Sequence, residues 1–277
     1  MDSLVSTEWL AGELDESDLR VVDATYFLDR DARSKFENEH IPGAVFMDLA
    51  ELADQDSDLP GMLPAPEKFA SRMQALGLGD GSRIVVYDDS ELKTAARAWW
   101  MLKTFGAHDV AILDGGLGKW KAENRPLESG KASVRHRHFT VWKDDSEVRD
   151  LSDMRDNQKS GKEQVVDARP HARFTGEQDD PREGVAAGHM RGAKNIPHSE
   201  LFNDDGTYKS KAEMKAVFAE AGIDPDKPVV TMCGSGITAA TLSFALHLIG
   251  AEKTALYDGS WAEWGSLDDT TKVTGAA

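Results

Sequence analysis

Cysteine occurs once in the 277 residues, at position 233, and its surroundings suit nucleophilic sulfur chemistry. It follows the β-rich run Pro228 to Met232 and opens the loop Cys233-Gly234-Ser235-Gly236-Ile237-Thr238, which leads into an apolar helical stretch. In a parallel α/β sheet, ligands bind beyond the carboxyl ends of the strands. A glycine-containing turn there aims backbone N–H groups inward, and the helix N-terminus adds positive potential. Such a cradle holds an anion, and for a cysteine that anion is the thiolate, its nucleophilic form. Gly234 and Gly236 permit positive φ and close backbone approach. The competing reading is a buried structural thiol, the state of most free cysteines. A lone cysteine forbids an internal disulfide, a CxxC pair and a cysteine-rich zinc cluster. A phosphatase loop would need an arginine six positions on, and position 239 is alanine. A Cys/His hydrolase finds no histidine beside the loop, the next one downstream being His247 in the following helix.

The elements that must position this loop occur twice. Residues 85 to 120 lie on residues 229 to 264 at a constant offset of 144: Val85-Val86-Tyr87 on Val229-Val230-Thr231, Thr94-Ala95-Ala96 on Thr238-Ala239-Ala240, Asp114-Gly115 on Asp258-Gly259, and Trp120 on Trp264. The same offset pairs Val21-Val22-Asp23-Ala24 with Val165-Val166-Asp167-Ala168 and puts Asp89 opposite Cys233. His40-Ile41-Pro42-Gly43-Ala44 meets His189-Met190-Arg191-Gly192-Ala193 after a five-residue insertion. A period this long means two copies of a domain. In the first copy, short β-rich runs (Leu19 to Asp23, Arg83 to Tyr87, Val110 to Leu113) alternate with helical stretches such as Lys93 to Phe105. The second repeats the order with Gln164 to Asp167, Pro228 to Met232 and Thr254 to Tyr257, and with a helix from about Thr238 to Ile249 that Gly250 can cap. The expected class is α/β, two tandem domains, each a parallel sheet with helices on both faces. Residues 1–128 form the copy without the cysteine, 129–146 a polar connecting segment, and 147–277 the copy that carries Cys233.

Composition excludes several other roles. With 32 Lys plus Arg against 49 Asp plus Glu, the net charge of −17 repels phosphate backbones and anionic membranes, so no nucleic-acid or membrane partner is expected. No run approaches the roughly 18–20 apolar residues of a membrane helix, and Met1-Asp2-Ser3-Leu4-Val5 is acidic where a secretory leader is basic. The default address is the cytoplasm.

Cys233-Gly234-Ser235-Gly236-Ile237-Thr238-Ala239 resembles the active-site loop of 3-mercaptopyruvate sulfurtransferases, two-domain members of the rhodanese superfamily. The resemblance extends through Ala98-Trp99-Trp100-Met101-Leu102, Asp114-Gly115-Gly116-Leu117, Val166-Asp167-Ala168-Arg169, Arg173-Phe174, Gly188-His189 and Tyr257-Asp258-Gly259-Ser260-Trp261-Ala262-Glu263-Trp264. It implies two rhodanese domains with the active cysteine only in the second, and no cofactor. Enzymes that use thiosulfate typically carry basic residues after the cysteine, whereas Gly234 and Ser235 are uncharged, which favours 3-mercaptopyruvate as donor. The family's carboxylate clamp carries over to Arg173 and Arg182. The implied site is therefore Cys233 as nucleophile and Ser235 as proton relay, with Arg173, Arg182, Gly234, Gly236, Ile237 and Thr238 binding the donor. With no second cysteine, the sulfur must leave to an external acceptor, such as cyanide, a small thiol or a reduced thioredoxin. One departure concerns Ser235. Some members pair the loop serine with a histidine and an aspartate in the first domain, where this chain has Gly61 and Ala50. A thiosulfate-using rhodanese and a non-catalytic rhodanese-like binding module are the alternatives.

Other conspicuous residues read as structural. His40 and His189 recur in both copies although only one has the cysteine, and Asp23 and Asp167 recur at strand ends, where an aspartate satisfies loop N–H groups. His136 and His138 lack further ligands nearby, so no metal is assigned. Trp99, Trp100, Trp120, Trp261 and Trp264 are expected in the core, with Trp261 able to approach the cleft.

Overall fold

Runs of Val, Ile and Leu too short for helices, punctuated by Asp and Gly, fold into two five-stranded parallel sheets in this computed structural model, which describes residues 1–132 and 134–276. Ser133 of the connecting segment and the terminal Ala277 lie outside the described residues. The first half contains β1 (Leu4–Val5), α1 (Thr7–Glu13), β2 (Leu19–Asp23), α2 (Ala32–Asn38), β3 (Val45–Phe46), α3 (Leu49–Leu52), α4 (Pro66–Ala75), β4 (Arg83–Tyr87), α5 (Ala95–Thr104), β5 (Val110–Leu113) and α6 (Gly116–Ala122). The second contains β6 (Val148–Arg149), α7 (Leu151–Ser160), β7 (Gln164–Asp167), α8 (His171–Thr175), β8 (His189–Met190), β9 (Lys194–Asn195), α9 (Lys211–Glu220), β10 (Val229–Met232), α10 (Ala239–Ile249), β11 (Thr254–Tyr257), α11 (Ser260–Trp264) and β12 (Lys272–Val273).

The sheet orders are β1-β5-β4-β2-β3 and β6-β11-β10-β7-β9, the same arrangement twice. The registers differ by one residue: Val21 pairs with Val85, whereas Val165 pairs with Val230, one past the partner the offset of 144 would give, so that Tyr87 and Met232 face the equivalent Asp23 and Asp167. A short antiparallel pair, β8 with β12, belongs to the second half alone. All four residues of β10 are buried, as are the last four of β4. Strands covered on both faces in this way fit a parallel sheet between helix layers.

The expected helix Lys93 to Phe105 is shorter at its start, beginning at Ala95. Lys93 takes φ +52, the Thr94 hydroxyl donates to the Ala24 carbonyl, and an Asp88 carboxylate oxygen accepts the Ala95 N–H. These side-chain bonds replace the first turn. The α10 helix ends as expected, with Gly250 at φ +91, a conformation that favours glycine. Trp100, Trp120, Trp261 and Trp264 are among the largest fully buried side chains and Trp99 is buried too, so the tryptophans are core residues.

The chain divides into two compact units, the first being Met1–Gln55, Leu63–Asp144 and Phe202–Tyr208, the second Asp56–Met62, Asp145–Leu201 and Lys209–Ala277. Each unit thus contains one short segment from the other half of the sequence. Among the described residues no helix is long and apolar enough to cross a membrane.

Candidate active site

Cys233 sits directly beyond the carboxyl end of β10, 2% exposed, with the first residue of α10 six positions on. The intervening loop turns at Gly236, whose φ is +76. Among the described residues no protein acceptor takes the backbone N–H of Ser235, Ile237 or Thr238. Those donors, ahead of the N-terminus of an 11-residue helix, are the groups that an anion cradle at Cys233 would use.

The loop is held from below. The Cys233 carbonyl accepts from the Trp261 N–H at 3.0 Å and the Gly234 carbonyl from the Ala262 N–H at 2.9 Å. The Cys233 N–H donates to the Ser260 Oγ at 3.2 Å, and that hydroxyl donates to the Tyr257 carbonyl at 2.8 Å. Ser260 adopts φ +50, a conformation strained for a residue with a side chain. Trp261 is in turn fixed from two sides: its Nε1 donates to the Ala186 carbonyl at 2.8 Å, and the Arg169 guanidinium lies 4.4 Å from its ring centroid. That guanidinium is buried and doubly bonded to Asp167, which also accepts the Arg169 N–H, and a further N–H reaches the Gly188 carbonyl. A buried ion pair whose Nε and Nη2 donors are met by the protein resists displacement.

The two expected clamp arginines are unlike each other. Arg182 is tied to Asp180 through its backbone N–H and its Nη1, at 3.1 Å each, and the Asp180 side chain is 1% exposed. From that seat the guanidinium lies against Gly234: a Cβ added there would meet Arg182 Nη2 at 2.9 Å. A side chain at position 234 would meet the arginine and require the guanidinium to shift. Arg173 stands on α8, which follows β7, the strand paired with β10 in register Asp167 to Met232. Among the described residues its buried Nε has no hydrogen-bond partner, an unmet donor suited to an incoming acceptor.

Ser235 and Ile237 meet the chain at Gly61, one of the two positions at which the sequence departs from the expected triad. A Cβ on Gly61 would stand 3.0 Å from the Ser235 carbonyl and 3.7 Å from Ile237 Cδ1, and Gly61 has φ +76. The segment has closed down on the loop backbone instead of presenting a base. Ile237 and Thr238 form the approach to α10, their carbonyls accepting from Ala240 and Thr241. Among the described residues no group of three or more His, Cys, Asp or Glu side chains could hold a metal ion.

Comparison with known proteins agrees with the duplication. Residues 6–123 and 150–267 each match the Rhodanese-like domain. The chain belongs to the rhodanese family. The 3-mercaptopyruvate sulfurtransferase of Escherichia coli strain K12 is 40% identical over 269 residues, covering 96% of this chain and 95% of its own. Thiosulfate sulfurtransferase of Gallus gallus is 38% identical over 271 residues, covering 95% and 93%. Among solved structures, the crystal structure of SseA from Escherichia coli, a 3-mercaptopyruvate sulfotransferase, superposes with a TM-score of 0.87 at 38% identity, over 95% of this chain and all of that one.

The first rhodanese unit shows what the cradle becomes without cysteine. Asp88 is buried there, and its carboxylate takes the N–H groups of Ser90 at 2.9 Å and Ala95 at 2.7 Å. The strand register puts Asp88, not Asp89, where the second unit has Cys233: its carbonyl accepts the Leu117 N–H as that of Cys233 accepts the Trp261 N–H, while Asp89, opposite Cys233 only at the constant sequence offset, pairs with Lys35. The donors that would greet an anion are already bonded to the protein's own carboxylate. The paired histidines have one role in both units. His40 bonds the Phe36 carbonyl and stacks on its ring, and His189 does the same with Phe174, where burial pushes its pKa below the ordinary histidine value.

Three positions escaped the sequence reading as site residues: Arg169, Asp180 and Ser260. For two of them the internal repeat held a signal. Thr25 stands where the second unit has Arg169, and Gly116, at φ +56, where it has Ser260. Asp180, in the run Asp179-Asp180, reads locally as a solvated charge.

Proposed function

We propose that this rhodanese is a sulfurtransferase that takes sulfur from 3-mercaptopyruvate onto Cys233. The Cys233 thiolate attacks the donor sulfur; the sulfur–sulfur bond forms as the carbon–sulfur bond breaks. The Cys233 persulfide and the enolate of pyruvate result, and protonation of the enolate at carbon releases pyruvate. The N–H groups of the loop from Gly234 to Thr238 stabilise the sulfur anion before and after transfer. Arg173 and Arg182 grip the carboxylate and polarise the ketone as charge moves onto oxygen, an interaction that strengthens toward the transition state. Ser235 stands where a proton relay belongs, but among the described residues no side chain hydrogen-bonds its hydroxyl; water supplies the enolate proton in this reading. The persulfide is then discharged to cyanide, a small thiol or a thioredoxin, in the cytoplasm.

The observation that carries the choice of donor is the seat of Arg182 against Gly234. It occupies the space that a basic side chain after the cysteine would need and gives a directional clamp suited to a 2-oxo acid. The thiosulfate reading keeps support from the likeness to the Gallus gallus enzyme. Intact mass before and after addition of 3-mercaptopyruvate tests the proposal. Wild-type protein is expected to gain one sulfur atom and release pyruvate, and Cys233→Ser to do neither. Loading from thiosulfate without loading from 3-mercaptopyruvate would transfer the assignment to the rival donor, and no loading from either would favour a binding module.

A further inference from the structure

We infer that Asp180 is a positioning residue that sets donor selectivity: it holds Arg182 against Gly234 of the cysteine loop while cancelling its charge, tuning the pocket to a monoanionic 2-oxo acid over dianionic thiosulfate. This rests on the proposed function and adds a determinant outside the cysteine loop.

Four observations carry it. The Asp180 side chain is 1% exposed, so its carboxylate is removed from water and faces the guanidinium at 3.1 and 3.3 Å. The same carboxylate takes the Arg182 N–H, which fixes the backbone from which the side chain springs. Both contacts to the guanidinium use Nη1, leaving Nη2 turned toward Gly234 and the cysteine loop. Finally, the loop residues Gly234, Ser235, Gly236, Ile237 and Thr238 carry no charge.

The charge count follows directly. Arg182 with Asp180 sums to zero, so Arg173 is the one uncompensated cation among the residues assigned to the donor. A single positive charge matches a carboxylate. A dianion brought to the same residues leaves one negative charge without a counter-charge, and an unpaired charge at a partly buried site is disfavoured. Arg182 still donates a directional hydrogen bond to a ketone or carboxylate oxygen, because orientation survives neutralisation.

The test measures donor preference as the ratio of kcat/KM for 3-mercaptopyruvate to that for thiosulfate, with cyanide as acceptor, in wild type, Asp180→Asn and Asp180→Glu. Asparagine keeps an acceptor oxygen for Arg182 but releases its full charge. The ratio is expected to move about tenfold toward thiosulfate, equivalent to about 1.4 kcal/mol, chiefly through a lower KM for thiosulfate. Glutamate retains the charge and is expected to leave the ratio within about threefold of wild type. An unchanged ratio in folded Asp180→Asn would overturn the inference, as would a shift in Asp180→Glu as large as the one expected of asparagine, which would point to shape instead of charge. Should the asparagine variant fail to fold, Asp180→Ser, which also removes the charge, is read in its place against the same ratio, with an unchanged ratio again overturning the inference. Wild-type protein that gains no sulfur from 3-mercaptopyruvate would instead defeat the donor assignment itself, an outcome distinct from an unmoved ratio in a working enzyme.

Discussion

At the scale of the residue, the site carries unmet bonding potential that folding alone would not retain. Among the described residues the buried Arg173 Nε has no hydrogen-bond partner, and an unsatisfied buried donor costs about 1–3 kcal/mol. Arg173→Leu removes that donor and keeps an apolar stem. It is expected to melt at or above the wild-type temperature while kcat/KM for 3-mercaptopyruvate falls about 100-fold, or about 2.7 kcal/mol. Loss of stability together with activity would show that Arg173 serves the fold. Ser260 presents the same opposition in the backbone. Its twin Gly116 takes a similar positive φ without a side chain to strain, whereas Ser260 accepts that strain and uses its hydroxyl to fix the Cys233 N–H. The exchange of glycine for serine makes sense only in the unit that has a nucleophile to hold.

At the scale of the element, the carboxyl ends of β2 and β7 show how one strand design serves two purposes. Asp23 and Asp167 each accept the N–H two residues on, at 2.8 and 2.9 Å. Asp167 is matched by the guanidinium of Arg169, whereas Asp23 has Thr25 and Tyr87 as hydrogen-bonding neighbours, and burial lifts its pKa from 3.8 to about 6. A carboxyl whose pKa is raised on folding contributes stability below about pH 4 and loses it as pH rises through about 6. Asp23→Asn does not titrate, so its stability relative to wild type is expected to improve between pH 4 and pH 7, by on the order of 1 kcal/mol. Thermal melts at those two pH values check this; an equal difference at both would mean that Asp23 is charged in the folded protein throughout. The strands themselves were legible. β2, β4, β5, β7 and β11 span the residues marked out by their apolar runs, and β10 differs only by the proline that cannot join a ladder. The start of α5 was not legible, because the bonds from Thr94 and Asp88 that replace its first turn come from tertiary neighbours.

For the molecule as a whole, an excess of acidic charge opposes compaction. With a net charge of −17, self-repulsion is screened as salt rises. The melting temperature is therefore expected to climb by several degrees between about 0.02 M and 0.5 M sodium chloride; a flat or falling response would show that surface ion pairs such as Arg83 with Asp18 and Glu13 outweigh the repulsion. Duplication is the other property at this scale, and it acts as an internal control: where the copies agree, at His40 and His189 or Asp23 and Asp167, residues hold the fold, and where they part, at Asp88 and Cys233, Thr25 and Arg169, or Gly116 and Ser260, the differences gather around the cysteine loop. By itself the sequence determined the α/β class, the two copies, the strand positions and the cysteine loop, because hydrophobic period, turn residues and repetition are written locally. Only the tertiary structure decided that Asp180 neutralises Arg182, that Arg182 covers Gly234, that Gly61 lies on Ser235, and that each unit includes a segment from the other half of the chain. Those facts join residues far apart in sequence, and burial turned a surface-looking aspartate and an ordinary glycine into parts of the site.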